Sequence, residues 1–578
     1  MEELKYSGRW TILDKDYIGD LYIVKKKGII RLVLTYKWNE GTIGDDENIP
    51  SKIDIINGTL STEAKMALVN CVVIERNSNL STMRNRVVID GKYCINGLNF
   101  NSYQDIKFLK MEFRISKTLV WSDLNGFKFD IKNTSKRTPE IIKYRFKKTV
   151  QTQIDNGYTL KVVPYLAPMS YNINKENIHL GQYVKFLFYN RKEKELAEYM
   201  QLLDKIIKLI EVGIKDKVDI IKIEGYKRSI FSGYINAKNK QQKILYPIEI
   251  FSTYKYKQQY DEPEKKDMLF LLPELSENSI QIWYEKYEEL KPIIELYIET
   301  IEYTNMSLER KFLNIVQALE SYHMRFICNS KEDFKKRVEE VYRKHKILEY
   351  IYDEKQAKSK YILLKNRILD LFFKSDLLWC LNPMIRFIYF TNSIVDTRHY
   401  YTHYPNNKKY KALKDIELES AYYILKSLLE NYILLELKVD RSLISKRLQE
   451  YIGLVKRNTE ILRNKDIELE IAKRVGLNTE LKNLSKNICF AYGIGEFEEN
   501  IILDDDSEDL NYILKTKEKR NYKIIIINKR KTDDECKNYI DEIINKGKEK
   551  IAMRTREGQK IYILDYYTNR YRICVFEK

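Results

Sequence analysis

An arginine and two histidines lie close together in the stretch IVDTRHYYTHYP, residues 394–405. The chain has only five histidines among 578 residues, and two of them lie just after Arg398: His399 is the next residue and His403 is four residues further on. Imidazole exchanges protons near neutral pH, whereas guanidinium stays charged and binds phosphate oxygens. Arg398, His399 and His403 are therefore the first candidates for a reaction site.

Two other interpretations fit the same spacing. His399 and His403 are four residues apart and so share a helix face, as the two zinc ligands of HExxH do, but Tyr400 stands where the glutamate would be and no third ligand is obvious. In the second interpretation Arg398 caps the last carbonyls of its helix, where positive charge is favourable. Spacing alone leaves a metal site, a helix end and a reaction site open.

RNA cleavage without a metal ion is the reaction that these residue types suit. The 2′-hydroxyl must lose a proton, the leaving 5′-oxygen must gain one, and the phosphorane must be stabilised. A histidine serves the proton transfers and an arginine binds the phosphate oxygens. One histidine cannot easily reach both sides of an in-line displacement, so a second is needed, either His399 or one from a partner chain. Such a reaction uses the hydroxyl of the RNA itself and needs no cofactor.

Helical patterns surround the stretch, and they predict an antiparallel bundle over residues 276–455. Apolar residues recur every three or four positions, for example at Phe312, Val316 and Leu319, and the runs contain almost no glycine or proline. Pro405 disfavours helical backbone at the residue before it. The stretch is therefore predicted to lie at the C-terminal end of a bundle helix.

The part before the bundle reads as a β-rich region. Residues 1–170 are predicted to form a sandwich or barrel, with two strands meeting around Gly28 and a hairpin turning at Asp90-Gly91. Residues 171–275 mix strand-like runs with one helical run, ELAEYMQLLDKIIKLIEVG.

The part after the bundle is predicted to contain a helical linker, residues 456–489, and a small α/β module, residues 490–578. The acidic run LDDDSEDL precedes the strands of that module. Clustered carboxylates can bind a divalent ion, but such runs are more often solvated loops, and a loop is predicted here. The fold class is thus multidomain α+β: a β-rich N-terminal region, an all-α bundle and a small C-terminal α/β module.

Composition limits the partners only loosely. The net charge of +18 is compatible with RNA, and also with a lysine-rich composition spread over the whole chain. No apolar run approaches the roughly 20 residues of a membrane helix, and the N-terminus has no signal pattern. We therefore expect a cytoplasmic protein that does not contact a membrane.

Cysteine usage points the same way. The seven cysteines are scattered, with no CxxC and no Cys/His pair at zinc spacing. They are expected to be reduced and mostly buried, and no structural metal is predicted.

The quoted stretch and its context resemble a known family. TRHYYTH is similar to the R-x4-6-H signature of HEPN helical-bundle ribonucleases. The segments IWYEKYEELKPIIELY, FLNIVQALESYH and VDTRHYYTHY, in that order, resemble the Apea-like HEPN proteins, bacterial anti-phage defence factors. SGRW, IGDLYIV and INGTLS resemble the β-rich N-terminal region of the same proteins. The resemblance covers roughly residues 5–455.

The resemblance implies roles for a few positions. Arg398 would stabilise the phosphate and His403 would transfer protons, while His399, where the family more often has Asn or Asp, would assist or orient. Glu320 would support the site by pairing with Arg398. His323 is expected to be a satisfied core residue. The remaining histidines, His179 and His345, lie outside any motif and are expected to be structural or on the surface.

The resemblance also implies a function and partners. The chain would be a metal-independent endoribonuclease of abortive infection that leaves 2′,3′-cyclic phosphate ends, and its site would be completed in a homodimer or a higher homo-oligomer. A further hypothesis rests on the separation of the β-rich region from the site: residues 1–270 would sense a phage-derived trigger and restrain the bundle. The alternative function is a catalytically inactive HEPN bundle that binds or senses within a defence complex.

Overall fold

The structure, a computed structural model, describes two compact units. One unit is Met1–Glu288 with Leu437–Val439, and the other is Glu289–Glu436 with Asp440–Lys578. The described residues are 3–37, 49–79, 81, 84–130, 141–154, 157–171, 178–237, 240–254, 263–276, 278–303, 305–342, 352–375, 385–404, 412–444, 446–448, 497–504, 510–516, 521–528, 561–564 and 571–577.

A closed six-stranded barrel opens the first unit. Its strands are β1 (Glu3–Ile12), β2 (Lys15–Val24), β3 (Ile29–Lys37), β4 (Lys52–Leu60), β5 (Lys65–Asn79) and β6 (Arg84–Asn96). They pair in the order β6-β3-β2-β1-β4-β5, and β5 also pairs with β6, which closes the barrel. Alternate residues point inward, as strand geometry requires, and Trp10, Leu32 and Leu68 are among the fully buried side chains of its core.

The turn predicted at Gly28 is confirmed. A short 3-10 turn, Lys25–Lys27, ends at Gly28, which has φ +64° and leads into β3. Residues with a Cβ rarely adopt this conformation, so glycine suits the position.

The hairpin predicted at Asp90-Gly91 is wrong, because β6 runs straight through it. Asp90 is the last residue of β6 that pairs with β3, and from Tyr93 onward β6 pairs instead with the strand Ile248–Ser252. Gly91 therefore marks the point where one long strand changes neighbours, a place where glycine is tolerated inside strands.

The sheet continues from the barrel with six further strands. They are β7 (Lys107–Ile115), β10 (Val150–Ile154), β11 (Tyr158–Leu166), β14 (Gln182–Glu195), β15 (Ile220–Tyr226) and β18 (Ile248–Ser252), in the order β10-β11-β14-β7-β15-β18. The predicted helical run is confirmed as α2 (Leu196–Ile214). The Tyr199 hydroxyl of α2 donates to the carbonyl oxygens of Phe108 and Leu109, at 3.1 and 2.9 Å, and so ties the helix to β7.

Smaller elements lie outside this sheet. They are α1 (Thr118–Ser122) and three two-stranded sheets, β8 (Phe127–Asp130) with β9 (Ile141–Tyr144), β12 (Ser170–Tyr171) with β13 (Ile178–His179), and β16 (Phe231–Ala237) with β17 (Lys240–Leu245).

The predicted run of helices is confirmed wherever the structure describes it. The helices are α3 (Ser279–Glu302), α4 (Leu308–Tyr322), α5 (Lys331–Tyr342), α6 (Glu354–Lys358), α7 (Leu364–Lys374), α8 (Ile385–His403) and α9 (Asp415–Glu436). A π-helical turn, His323–Ile327, extends α4. The predicted apolar face of α4 is buried, with Phe312 and Leu319 fully covered.

Aromatic contacts join these helices. The rings of Tyr322 and Tyr432 lie 4.8 Å apart between α4 and α9, and those of Phe372 and Phe390 lie 6.0 Å apart between α7 and α8. The helix that carries the Arg/His stretch is thus packed into the bundle through its earlier turns.

The C-terminal region contains an antiparallel five-stranded sheet. Its strands are β19 (Phe497–Asp504), β20 (Leu510–Thr516), β21 (Asn521–Asn528), β22 (Ile561–Leu564) and β23 (Tyr571–Glu577), in the order β19-β20-β21-β23-β22. The helical linker, the helical part predicted for this module and the middle of the acidic run lie outside the described residues. The β-rich N-terminal region and the helical region of the predicted fold class are confirmed.

No helix among the described residues is long and apolar enough to cross a membrane. Cys71, Cys94 and Cys328, the cysteines whose side chains are described, are buried and unpaired, as predicted. Burial raises the pKa of Cys71 to about 12, so this thiol stays protonated at neutral pH.

Candidate active site

The Arg/His stretch forms the last turns of α8, as predicted. Helical backbone ends at His403, and Tyr404 has φ +42°, a left-handed conformation that terminates the helix. The Tyr404 N–H still donates to the carbonyl oxygen of Tyr400 at 2.7 Å. Arg398 and His399 are partly buried, and His403 is exposed at the helix end.

A backbone clamp holds the chain that returns after α8 against this end. The fully buried Thr397 hydroxyl accepts the N–H of Leu413 at 2.9 Å and donates to the carbonyl oxygen of Ser393 at 2.6 Å. The Tyr401 hydroxyl donates to the Leu413 carbonyl oxygen at 3.2 Å. Both polar groups of one peptide residue are therefore fixed by side chains on either side of Arg398.

The two histidines lie side by side. The rings of His399 and His403 are 6.2 Å apart with an angle of 24° between their planes, as expected for residues one helical turn apart. Burial lowers the pKa of His399, and the nearby charges of Arg398 and His403 lower it further, against a smaller opposing effect of Asp396. His399 is therefore mostly neutral at neutral pH and can accept a proton or a hydrogen bond.

The Arg398 side chain makes no ion pair with any carboxylate in the part of the chain that the structure describes. Its carbonyl oxygen accepts a hydrogen bond from the Thr402 hydroxyl at 2.6 Å, which stabilises the helix rather than the guanidinium. A partly buried guanidinium without a carboxylate favours an anionic ligand.

Glu320, predicted to pair with Arg398, has a different charged neighbour among the described residues. Its carboxylate interacts electrostatically with Arg367. Burial lowers the pKa of Arg367, and the charge of Glu320 partly offsets this by raising it. Within the described ranges no hydrogen bond or ion pair joins Glu320 to Arg398. The reason is that α7 carries its own arginine, Arg367, close to this part of α4.

His323 is a satisfied core residue, as predicted. It is fully buried; its Nε2 lies 2.9 Å from Asp370 Oδ2 and its Nδ1 lies 2.9 Å from a terminal nitrogen of Arg367. Because a guanidinium can only donate hydrogen bonds, Nδ1 must accept one from Arg367. The ring proton is therefore on Nε2, which donates a hydrogen bond to the Asp370 carboxylate. Burial lowers the pKa of His323, in agreement with this neutral tautomer.

Arg337 supplies the positive charge that Asp370 needs. Its Nε donates to Asp370 Oδ2 at 3.0 Å, and hydrogen bonds from His323 and Arg337 outweigh burial to lower the pKa of Asp370. This network was not predicted from the sequence. Its only signal is an aspartate inside the apolar run RILDLFFK.

His179 and His345 are the remaining histidines. His179 pairs with Ser170 in the β12–β13 ladder, and its side chain lies outside the description, as does the whole of His345. Among the residues that the structure covers, no group of three or more His, Cys, Asp or Glu side chains could hold a metal ion. The zinc interpretation of His399 and His403 thus gains no third ligand there.

Comparison with known proteins assigns both parts of the chain. Residues 313–443, which run from within α4 to just past α9, match the family model described as Apea-like HEPN, so the bundle is a HEPN domain of a nuclease type associated with anti-phage defence. Residues 5–285 match the model described as ApeA N-terminal domain 1. The chain belongs to the Apea-like HEPN proteins. No curated protein and no solved structure was found to match it.

Proposed function

We propose that this protein is an endoribonuclease of anti-phage defence that cleaves RNA without a metal ion, with Arg398 and His403 as catalytic residues. The observation that carries the proposal is the guanidinium of Arg398, which makes no ion pair with a carboxylate among the described residues and lies at the same helix end as two imidazoles. A cation for phosphate and groups for proton transfer are what RNA cleavage requires.

The reaction follows from the RNA's own chemistry. A histidine removes the proton of the 2′-hydroxyl, the 2′-oxygen bonds to phosphorus, and the bond from phosphorus to the 5′-oxygen breaks. A protonated histidine gives its proton to that leaving oxygen. The products are a 2′,3′-cyclic phosphate and a 5′-hydroxyl, and DNA is not a substrate because it lacks the attacking group.

The residues divide these tasks. Arg398 binds the non-bridging oxygens and stabilises the charge of the phosphorane. His403, exposed at the helix end, transfers a proton. His399, with its lowered pKa, is suited to the base role, while the alternative is that it orients His403 and the second histidine comes from a partner chain.

Sequencing of RNA ends tests the proposal. Purified wild-type protein should cleave RNA in EDTA to give 2′,3′-cyclic phosphate ends, and His403→Ala or Arg398→Ala should lower cleavage by at least about a hundredfold. In cells, expression of the wild type should arrest growth and His403→Ala should relieve the arrest. The exposed Arg441 offers a matched control, because Arg441→Ala removes an arginine of the same unit outside the site.

Two outcomes would overturn it. Full cleavage by His403→Ala would remove the assigned proton donor, and a strict Mg²⁺ requirement would point to different chemistry. Phage protection that survives both substitutions would favour the inactive binding module instead.

A further inference from the structure

The β16–β17 hairpin is a basic and aromatic element that the proposed active site does not use. Its strands pair only with each other among the described strands, so the hairpin stands apart from the large sheet. Four large side chains on it or directly after it are exposed: Phe231 (38%), Tyr234 (52%), Ile244 (45%) and Tyr246 (58%). Exposed large apolar side chains that lie together on one face are a feature of interaction sites.

One face of the hairpin combines two rings with a cation. The rings of Phe231 and Tyr234 meet edge to face with centroids 5.2 Å apart, and the Lys243 Nζ lies 4.2 Å from the centre of the Phe231 ring. Lys243 is directly opposite Tyr234 in the ladder, so both project from the same face. Ile244, the next residue along the strand, projects from the other face.

The charge of the segment has one sign. Residues 225–248 contain Lys227, Arg228, Lys238, Lys240 and Lys243 and no aspartate or glutamate, whereas cations outnumber carboxylates only 101 to 83 in the whole chain. In the part of the chain that is described, Lys243 makes no ion pair. A segment of this kind complements an anionic partner rather than an apolar protein surface.

The base of the hairpin is anchored. The Lys227 Nζ donates to the carbonyl oxygen of Asp105 at 3.1 Å, the Arg228 guanidinium donates to the carbonyl of Arg191, and the Arg228 N–H donates to Glu193 at 2.8 Å. These bonds engage the side chains of Lys227 and Arg228 with the rest of the domain. Lys243 lies instead beside the exposed rings of the hairpin. An anchored base keeps the aromatic face presented at low entropic cost.

We propose that the face formed by Phe231, Tyr234 and Lys243 binds single-stranded RNA, with bases stacking on the rings and Lys243 pairing with a phosphate. Stacking on aromatic residues combined with backbone contacts by cations is how proteins hold single strands without sequence preference. The inference extends the proposed function, since it gives the ribonuclease a second RNA contact in its N-terminal region.

RNA affinity of the full-length protein tests the proposal. The probe is a fluorescein-labelled 12-nucleotide oligouridine, measured by fluorescence anisotropy in a His403→Ala background so that the RNA stays intact. Tyr234→Leu should weaken binding roughly 5- to 150-fold, because it removes the stacking face and keeps an apolar side chain. Lys243→Gln should lower the slope of log affinity against log salt by about 0.7.

Tyr246→Leu is the matched control. Tyr246 is equally exposed and follows Ile244 by two residues, so it belongs to the opposite face, and its loss should leave RNA binding unchanged. Thermal melting of each variant should match the wild type, because the substituted side chains are exposed. Inorganic polyphosphate, which has charge without bases, should bind equally well to wild type and Tyr234→Leu.

The proposal is overturned if Tyr234→Leu binds the oligouridine as tightly as the wild type, or if Tyr246→Leu weakens binding to the same extent. Unchanged RNA affinity together with lost phage protection would assign the hairpin to a protein partner. The binding assay does not depend on cleavage, so a chain that binds through the hairpin but does not cut RNA contradicts only the proposed function. A chain that cuts RNA with an inert hairpin contradicts only this inference.

Discussion

Single residues set the chemical state of the site. His399 is kept neutral by burial and by the adjacent Arg398, whereas His403 projects into solvent one turn further on. Burial and a neighbouring positive charge both disfavour the charged form of an imidazole. The sequence identifies these candidates because arginine and histidine are recognisable by type.

The clamp on Leu413 shows what residue types do not reveal. Thr397 and Tyr401 bond to a backbone N–H and C=O sixteen and twelve positions further along the chain, and a backbone partner leaves no mark in the sequence. Polar residues inside an apolar helix face are a signal that something is bonded, but they do not say what.

The clamp leads to a prediction for Thr397, whose hydroxyl makes two buried hydrogen bonds. Thr397→Val keeps the shape of the side chain and leaves the Leu413 N–H without this hydrogen-bond acceptor. The neighbouring Arg398 side chain should then be held less firmly in position. We expect kcat for RNA cleavage to fall about tenfold with little change in KM, because positioning errors act on the reacting geometry.

Two controls separate positioning from folding. Thr402→Val makes the same change at an exposed threonine whose hydroxyl donates to a carbonyl oxygen of its own helix, and it should leave kcat close to that of the wild type. Thr397→Ser retains the hydroxyl and should restore most activity. Unchanged kcat in Thr397→Val would show that the clamp is irrelevant to the reaction.

At the scale of elements, the His323 network fixes three helices of the bundle. His323 begins the π turn after α4, Arg337 lies on α5, and Asp370 and Arg367 lie on α7. A π turn inside a helix is rare and often occurs where function or packing demands it. Here the π turn begins at His323, the residue that Asp370 and Arg367 hydrogen-bond.

The network makes the stability of the bundle depend on pH. The pKa of His323 is lowered in the folded state, so its neutral form stabilises the fold above the unfolded pKa of about 6.5. This contribution is lost as the pH falls from about 6.5 through the folded pKa. Between pH 7.5 and 5.5 the free energy of unfolding should therefore drop because of this group, with a slope of at most about 1.4 kcal/mol per pH unit.

His323→Gln tests the assignment. A glutamine amide can donate to Asp370 and accept from Arg367 but does not titrate, so the variant should lack the pH dependence between 7.5 and 5.5. Urea denaturation followed by circular dichroism at both pH values measures the difference. An equal drop in wild type and variant would place the titrating group elsewhere.

Periodicity in the sequence was sufficient for most elements and failed at one. Apart from the short α6, whose sequence EKQAK has no apolar period, the helices α3 to α9 follow from apolar residues at helical spacing, and the strands around Gly28 follow from their alternation. Asp90-Gly91 has the composition of a hairpin turn, yet Gly91 lies inside β6 where the strand changes partners. Pairing partners are set by tertiary structure, so local composition cannot distinguish the two cases.

At the scale of the whole molecule, the helix geometry bears on assembly. Arg398 and His403 are five residues apart, so on an ideal helix they project about 140° from one another. One copy of α8 therefore does not direct both side chains to the same point, and a cleft shared by two chains would bring an Arg398 from one together with a His403 from the other. This supports the homodimer that the family resemblance implies.

Mixing of inactive variants tests this arrangement. Arg398→Ala and His403→Ala, each inactive alone, should regain RNA cleavage when the two chains are mixed and allowed to exchange, because a mixed dimer holds one intact residue of each type. Cleavage by the mixture, with molar mass from light scattering, is the measurement. The double variant mixed with either single variant should stay inactive, and a fully active monomer would contradict the shared cleft.

The closed barrel has a consequence for the order of synthesis. All six of its strands lie within residues 3–96, so every pairing that closes it is available about 300 residues before Arg398 is translated. At about 5–20 residues per second, a ribosome needs roughly 15–60 s for that interval. The N-terminal domain can thus complete its first core on the ribosome before α8 is synthesised, so a nascent chain that reaches Arg398 already carries every strand of the barrel.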